Sequence, residues 1–267
     1  MTFKILCLWD FSSESYLALS SCFSLASVYK EEGVTPVITL FHVAEKGKKI
    51  DAELRLREIQ LEYGDKTIAA DVPEGDLFDC FEAKVKRFQP DFVVFGTHGV
   101  RGISQYLFGA YAVRILKLSE CPVMICSVKI YNGMSERLLK GKTVLHVDYT
   151  NGAYNSKNRF RFLHLANQYD EVYLHGIYSE DEEKDRIMEN KVELDRKSLD
   201  NVKRVEKSIE NLGHGYGIVT QITDRVVSEG ADLLVSRYGF ERGDDVIGMS
   251  ELEGLVNNDA GVPVLFM

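Results

Sequence analysis

DFVVFGTHGVRG, residues Asp91–Gly102, is the stretch that decides the fold. Its apolar run reads as a strand buried on both faces, which is the signature of a parallel sheet covered by helices. The glycines that follow mark a tight exit from the strand, and Ser104–Leu118 behind them has helical spacing and few breakers. Strand, glycine-rich turn and helix in that order place a ligand crevice at the carboxyl end of the strand. Inward-facing N–H groups in such a turn hold an anion without any lysine.

Working outward, the same alternation fills the first half. Strands are expected at Phe3–Trp9, Pro36–Val43, Thr67–Val72, Asp91–Gly96 and Pro122–Val128, with helices at Ser13–Lys30, Asp51–Tyr63 and Leu77–Phe88 between them. The second half repeats the order: Thr143–Asp148 matches the first strand, Glu171–Tyr178 the second, Asp232–Ser236 the fourth and Val262–Phe266 the last. Asp91 to Pro122 is 31 residues and so is Asp232 to Pro263; Asp10 to Asp91 is 81 and Asp148 to Asp232 is 84. The boundary is expected in Tyr131–Gly141, a polar stretch with an Asn-Gly turn. The charged stretch Ser179–Leu212 lacks glycine and proline and reads as one long solvated helix supported by i,i+4 pairs.

Composition narrows the function classes. The 267 residues are 45% apolar and 27% charged, with a net charge of −9. That acidic balance argues against nucleic acid and anionic membrane as partners, while a local basic patch stays open. No apolar run approaches the roughly 18 residues of a membrane span. The start of the chain, MTFKILCLWDFSS, reads as the first strand and not as a signal peptide, so a cytoplasmic location is expected. Five cysteines without a CxxC fit a reduced compartment, each as a small buried hydrophobe. No Ser-His-Asp set, Cys-His set or paired-His metal motif is readable, so no catalytic or metal residue is assigned.

The spacing Gly96-x2-Gly99-x9-Gly109 excludes a Walker A loop and a GxGxxG turn. It resembles the nucleotide loop of the universal stress protein family, Gly-x2-Gly-x9-Gly followed by Ser or Thr. Leu8-Trp9-Asp10-Phe11-Ser12 is similar to the family's Pro-x-Asp-x-Ser, and Leu40-Phe41-His42-Val43 to its Leu-Leu-His-Val. The resemblance implies two tandem Rossmann-like domains of the adenine nucleotide alpha-hydrolase-like type, residues 1–131 and 142–267. Each would be a mostly parallel five-stranded α/β sheet with helices on both faces. It also implies ATP or AMP as ligand, with Mg²⁺ only where the nucleotide carries it. Asp10 would meet the adenine or ribose, Val43 the adenine edge through its backbone, and Phe95 the ring or ribose. Gly96, Gly99 and Gly109, with Ala110 and Tyr111 at the helix start, would present N–H groups to ribose and phosphates.

Two departures bear on that ligand. Ala110 stands where the family has a hydroxyl, a contact worth roughly 1.5–3 kcal/mol when charge-assisted. Trp9 replaces a small residue and is placed either to crowd the pocket or to stack on a base. In the second half, Arg237, Phe240 and Ser250 fall opposite Gly96, Gly99 and Gly109. A degenerate loop without nucleotide is therefore expected there, with Asp148 as a remnant. His98 and Arg101 lie in the loop as solvated turn residues or phosphate contacts. His42 and His175 end equivalent strands and are expected to hydrogen-bond locally. The closing strands are edge candidates that in this family pair between domains or subunits, which implies an intramolecular pseudo-dimer and leaves homodimerisation open. The functional expectation is a stress-response regulator binding an adenine nucleotide in its first half. The alternatives are a nucleotide-free dimerising scaffold and a weak ATPase.

Overall fold

The computed structural model describes residues 2–30, 33–64, 68–97, 105–127, 143–148, 156–178, 182–211, 217–236, 254–256 and 262–267. In the first half β1 (Thr2–Leu8), α1 (Ser13–Lys30), β2 (Thr35–Phe41), α2 (Lys49–Tyr63), β3 (Ile68–Asp71), α3 (Leu77–Phe88), β4 (Phe92–Thr97), α4 (Gln105–Leu118) and β5 (Val123–Ser127) alternate. The second half has β6 (Thr143–Asp148), α5 (Ser156–Ala166), β7 (Glu171–Tyr178), α6 (Glu182–Arg196), β8 (Arg204–Asn211), α7 (Ile218–Glu229), β9 (Leu233–Ser236) and β10 (Val264–Phe266).

All ten strands join one sheet in the order β3-β2-β1-β4-β5-β10-β9-β6-β7-β8. Pairing within each half is parallel, and β5 meets β10 antiparallel, Val264 opposite Ile125 and Phe266 opposite Val123. The two closing strands expected at edges thus cover each other. The carboxyl ends of the two half-sheets consequently point in opposite directions.

Successive residues alternate between two cores. Ile5, Cys7, Phe92, Val94, Met124, Leu265, Leu233 and Val235 face one layer with α1, α2 and α5; Leu6, Val93, Ile125, Val264 and Leu234 face the other with α3, α4 and α7. Both layers run unbroken through the β5–β10 seam, as expected for strands with both faces buried. A buried ion pair closes the seam from the side: Arg161 of α5, 5% exposed, binds the carboxylate of Asp91, which also accepts the Lys4 N–H at 2.9 Å. Nearby, the Tyr29 ring lies 3.7 Å from Phe3 and 4.5 Å from His164 of α5.

The sequence repeat is visible in the register. Val93 pairs with Val123 and Leu234 with Val264, thirty residues on in each case. The Val93 and Leu234 N–H groups each donate to the carbonyl of the closing-strand proline at 3.0 Å, Pro122 and Pro263. The expected boundary falls between residues 128 and 142, outside the described residues.

One expectation is corrected. The charged stretch is not a single helix, for α6 stops at Arg196 and Arg204–Asn211 forms the edge strand β8. Residues 197–203 leave the helical path because a parallel sheet that repeats five strands needs a third strand beside β7. The charges serve that edge. Arg204 pairs with Glu206 and Glu171, and Lys207 reaches Glu193 of α6 at 3.4 Å. A charged edge strand resists pairing with other chains.

Candidate functional site

Chain order reverses beside β1: β2 lies on one side of it and β4 on the other. The carboxyl ends of β1 and β4 therefore frame the crevice where open α/β sheets bind ligands. Asp10 follows β1, and Gly96 lies at the end of β4, so the fold brings these two expected site residues to the same rim.

Gly96 is fixed by close packing. A Cβ there would lie 2.3 Å from the carbonyl oxygen of Glu14 and 2.4 Å from its carbonyl carbon. The first turn of α1 thus sits directly on β4, at a separation only glycine permits. This accounts for Gly96 without a ligand, and it also holds the start of α1 against the end of β4. Glu14 is buried at that helix start, where the positive end of the helix dipole favours a carboxylate.

Asp10 is engaged locally. Its Oδ1 accepts the Ser12 N–H at 3.0 Å and the Ser15 hydroxyl at 2.6 Å, and also binds the Ser12 hydroxyl. The Asp10 N–H donates to Ser15 Oγ at 3.1 Å. These bonds fasten the turn from β1 into α1.

Trp9 does not line the crevice. Its indole is 3% exposed within the α1-side core, edge-on to Tyr16 at 4.9 Å. Residues alternate sides along a strand exit, so Leu8 packs on the opposite layer. Trp9 N–H donates to Phe41 O at 2.9 Å, and the Trp9 carbonyl meets His42 Nδ1 at 2.8 Å. His42 is accordingly a stitch between the β1 exit and the β2 exit. Its counterpart His175 is 1% exposed, with Nδ1 2.7 Å from Ser208 Oγ on β8.

Two residues were not anticipated. Phe11 adopts a left-handed backbone, φ 64°, uncommon for a residue with a bulky side chain. Its ring lies edge-on to His42 at 4.7 Å, and the Arg55 guanidinium of α2 sits 3.7 Å from its centroid. Sequence spacing offers no signal for this stack, because it depends on where α2, packed beside β3, brings Arg55.

Of the remaining expected residues, Val43 is half-buried and packed against the α3/α4-side core, while Phe95 is 7% exposed in the same core. Gly99, His98 and Arg101 lie outside the described residues, as do Arg237, Phe240 and Ser250. Asp148 ends β6. Gly109, Ala110 and Tyr111 lie within α4, which is described from Gln105. Tyr111 is 45% exposed and packs on Phe78 of α3 at 5.1 Å.

The thiols lie away from this rim chemistry. Cys7, Cys22 and Cys126 are fully buried, with Cys126 Sγ 3.2 Å from Ser21 Oγ. Burial pushes the Cys126 thiol up to about 12; burial and a hydrogen bond with Cys7 raise Cys22 well above the ordinary thiol range. Such groups are inert. Among the described residues no cluster of three or more His, Cys, Asp or Glu suits a metal, and no helix is long and apolar enough to cross a membrane.

Residues 1–127 match the model of the Universal stress protein family. No curated protein matches the chain. Among solved structures, a universal stress protein from Archaeoglobus fulgidus DSM 4304 is 17% identical, with a TM-score of 0.65 over 98% of this chain and 95% of that one. A protein of unknown function from Pseudomonas aeruginosa PAO1 is 16% identical, with a TM-score of 0.59 over 99% and 92%. Both likenesses span the whole ten-stranded architecture and speak to fold.

Proposed function

We propose, from the match of residues 1–127 to the Universal stress protein family model, that the chain is a stress-response regulator that binds one adenine nucleotide at the carboxyl ends of β1, β2 and β4. The observation carrying this reading is positional. The switch point between β1 and β4 brings Gly96, the first residue of Gly-x2-Gly-x9-Gly, to the rim that holds Asp10. The rim supplies a carboxylate at Asp10, a cation at Arg55 and the N–H groups at the start of α4 for ribose, base and phosphate. Mg²⁺ would arrive with the phosphates. In this reading the second half, residues 142–267, is a structural partner without nucleotide, and the first domain comprises residues 1–131.

A second reading has its own observation. Asp10 Oδ1 is already occupied by Ser12 and Ser15, and Ala110 brings no hydroxyl. That state suits a scaffold that works through its surfaces. Calorimetric titration with ATP, ADP and AMP separates the two. Saturable heat that vanishes in Gly99→Arg supports the nucleotide reading. No heat, together with no nucleotide released from purified protein on denaturation, leaves the scaffold.

A further inference from the structure

The stack of Arg55 on Phe11 has the geometry of an unfinished sandwich. Residues Ala52, Leu56 and Ile59 bury one face of α2, which leaves Arg55 exposed. Its guanidinium carbon sits over the Phe11 ring, 3.7 Å from the centroid. Among the described residues Arg55 makes no ion pair and no hydrogen bond, so its charge is not committed elsewhere. The Phe11 side of the stack is held firmly. Its neighbour Asp10 is bonded to Ser12 and Ser15, and the His42 ring supports it edge-on while bonding the Trp9 carbonyl.

Position decides what such a platform would take. Phe11 adjoins Asp10, and His42 adjoins Val43, the two residues that the family resemblance puts against adenine and ribose. β2 lies on the far side of β1 from β4, and the stack touches His42 at the β2 exit, so it stands across β1 from Gly96. A planar, always-charged guanidinium with one aromatic face covered is suited to a second π-face, as a purine provides.

Resting on the nucleotide reading above, we propose that Arg55 is a specificity-determining residue that stacks on the base, completing a Phe11–Arg55–purine sandwich. Binding of adenosine, AMP and ATP to the full chain tests it, using the wild type, Arg55→Ala and Arg55→Lys. Arg55 is exposed, so both variants keep the core. Each should weaken all three ligands by a similar factor, about tenfold, because lysine preserves the charge and removes the plane. Wild-type affinity in Arg55→Lys, or a loss that grows with the number of phosphates, would make Arg55 a point charge for phosphate and overturn the proposal. No binding of any ligand to the wild type would instead remove the nucleotide reading itself, and this proposal with it.

Discussion

The two halves of the sheet agree in their hydrogen bonds and differ at their rims. Val93 and Leu234 occupy the same place in the ladder, each tied to a proline carbonyl and to a partner thirty residues on. At the carboxyl end of the first half, however, α2 holds over Phe11 a cation that forms no ion pair among the described residues. The helix in the same place in the second half, α6, spends its Glu193 on Arg196, Lys197 and Lys207. The histidines at the two β2-type exits differ likewise. His42 fastens a loop at the crevice, whereas His175 is buried against Ser208 of a neighbouring strand. Burial on two faces constrains a strand so tightly that a repeat preserves it. The rim carries no such constraint, so its residues are free to diverge with use.

Glycine substitution sharpens that contrast most. Gly96→Ala would force a methyl into the Glu14 backbone at 2.3 Å, and Gly254→Ala would meet only a Val219 methyl at 2.7 Å. Backbone cannot rotate away, so Gly96→Ala should cost about 3 kcal/mol or more by denaturant unfolding and Gly254→Ala about 1. Equal costs would mean that α1 does not rest on β4 as described.

Charge pairs come next. Arg161→Ala strands Asp91 at the seam between the halves and should cost about 3 kcal/mol, since Arg161 is 5% exposed. Arg204→Ala, on the exposed β8 edge, should change stability by under about 1 kcal/mol. A loss in Arg161→Ala no larger than that in Arg204→Ala would show that the halves do not depend on this pair.

The smallest effect concerns pH. The hydrogen bond and charge of Arg196, with help from Lys207, hold the Glu193 carboxyl at about 2, below its ordinary 4.5. A depressed carboxylate stabilises the fold above its unfolded pKa and stops doing so as pH falls through the folded one. The melting-point gap between wild type and Glu193→Gln should therefore be small near neutrality and close progressively between 4.5 and about 2. Salt should shrink it as well, because the groups are solvent-exposed. A gap that widens on acidification would contradict the pairing of Glu193 with Arg196 and Lys207.

Much of the fold was legible because burial writes itself into sequence. FVVF and PVMIC are apolar at every position since both faces are covered, and the 31-residue spacing marked the repeat. β8 was not legible: RVEKSIEN lies at an edge, buries little, and its charges imitate a solvated helix. For the candidate site, the motif singled out Asp10 and Gly96, which lie at the carboxyl ends of β1 and β4. The Phe11–Arg55 stack was out of reach, since residues 44 apart in sequence meet only where α2, packed beside β3, brings Arg55. Trp9 was placed on the wrong side because the alternation of a strand past its last ladder bond is fixed by packing, here the fit of its ring against Tyr16.

The proposed function requires one nucleotide per chain, held in the first half. Equilibrium dialysis of the full chain against labelled ATP counts the sites directly. Saturation at one molecule per chain is the predicted result; zero or two would contradict it.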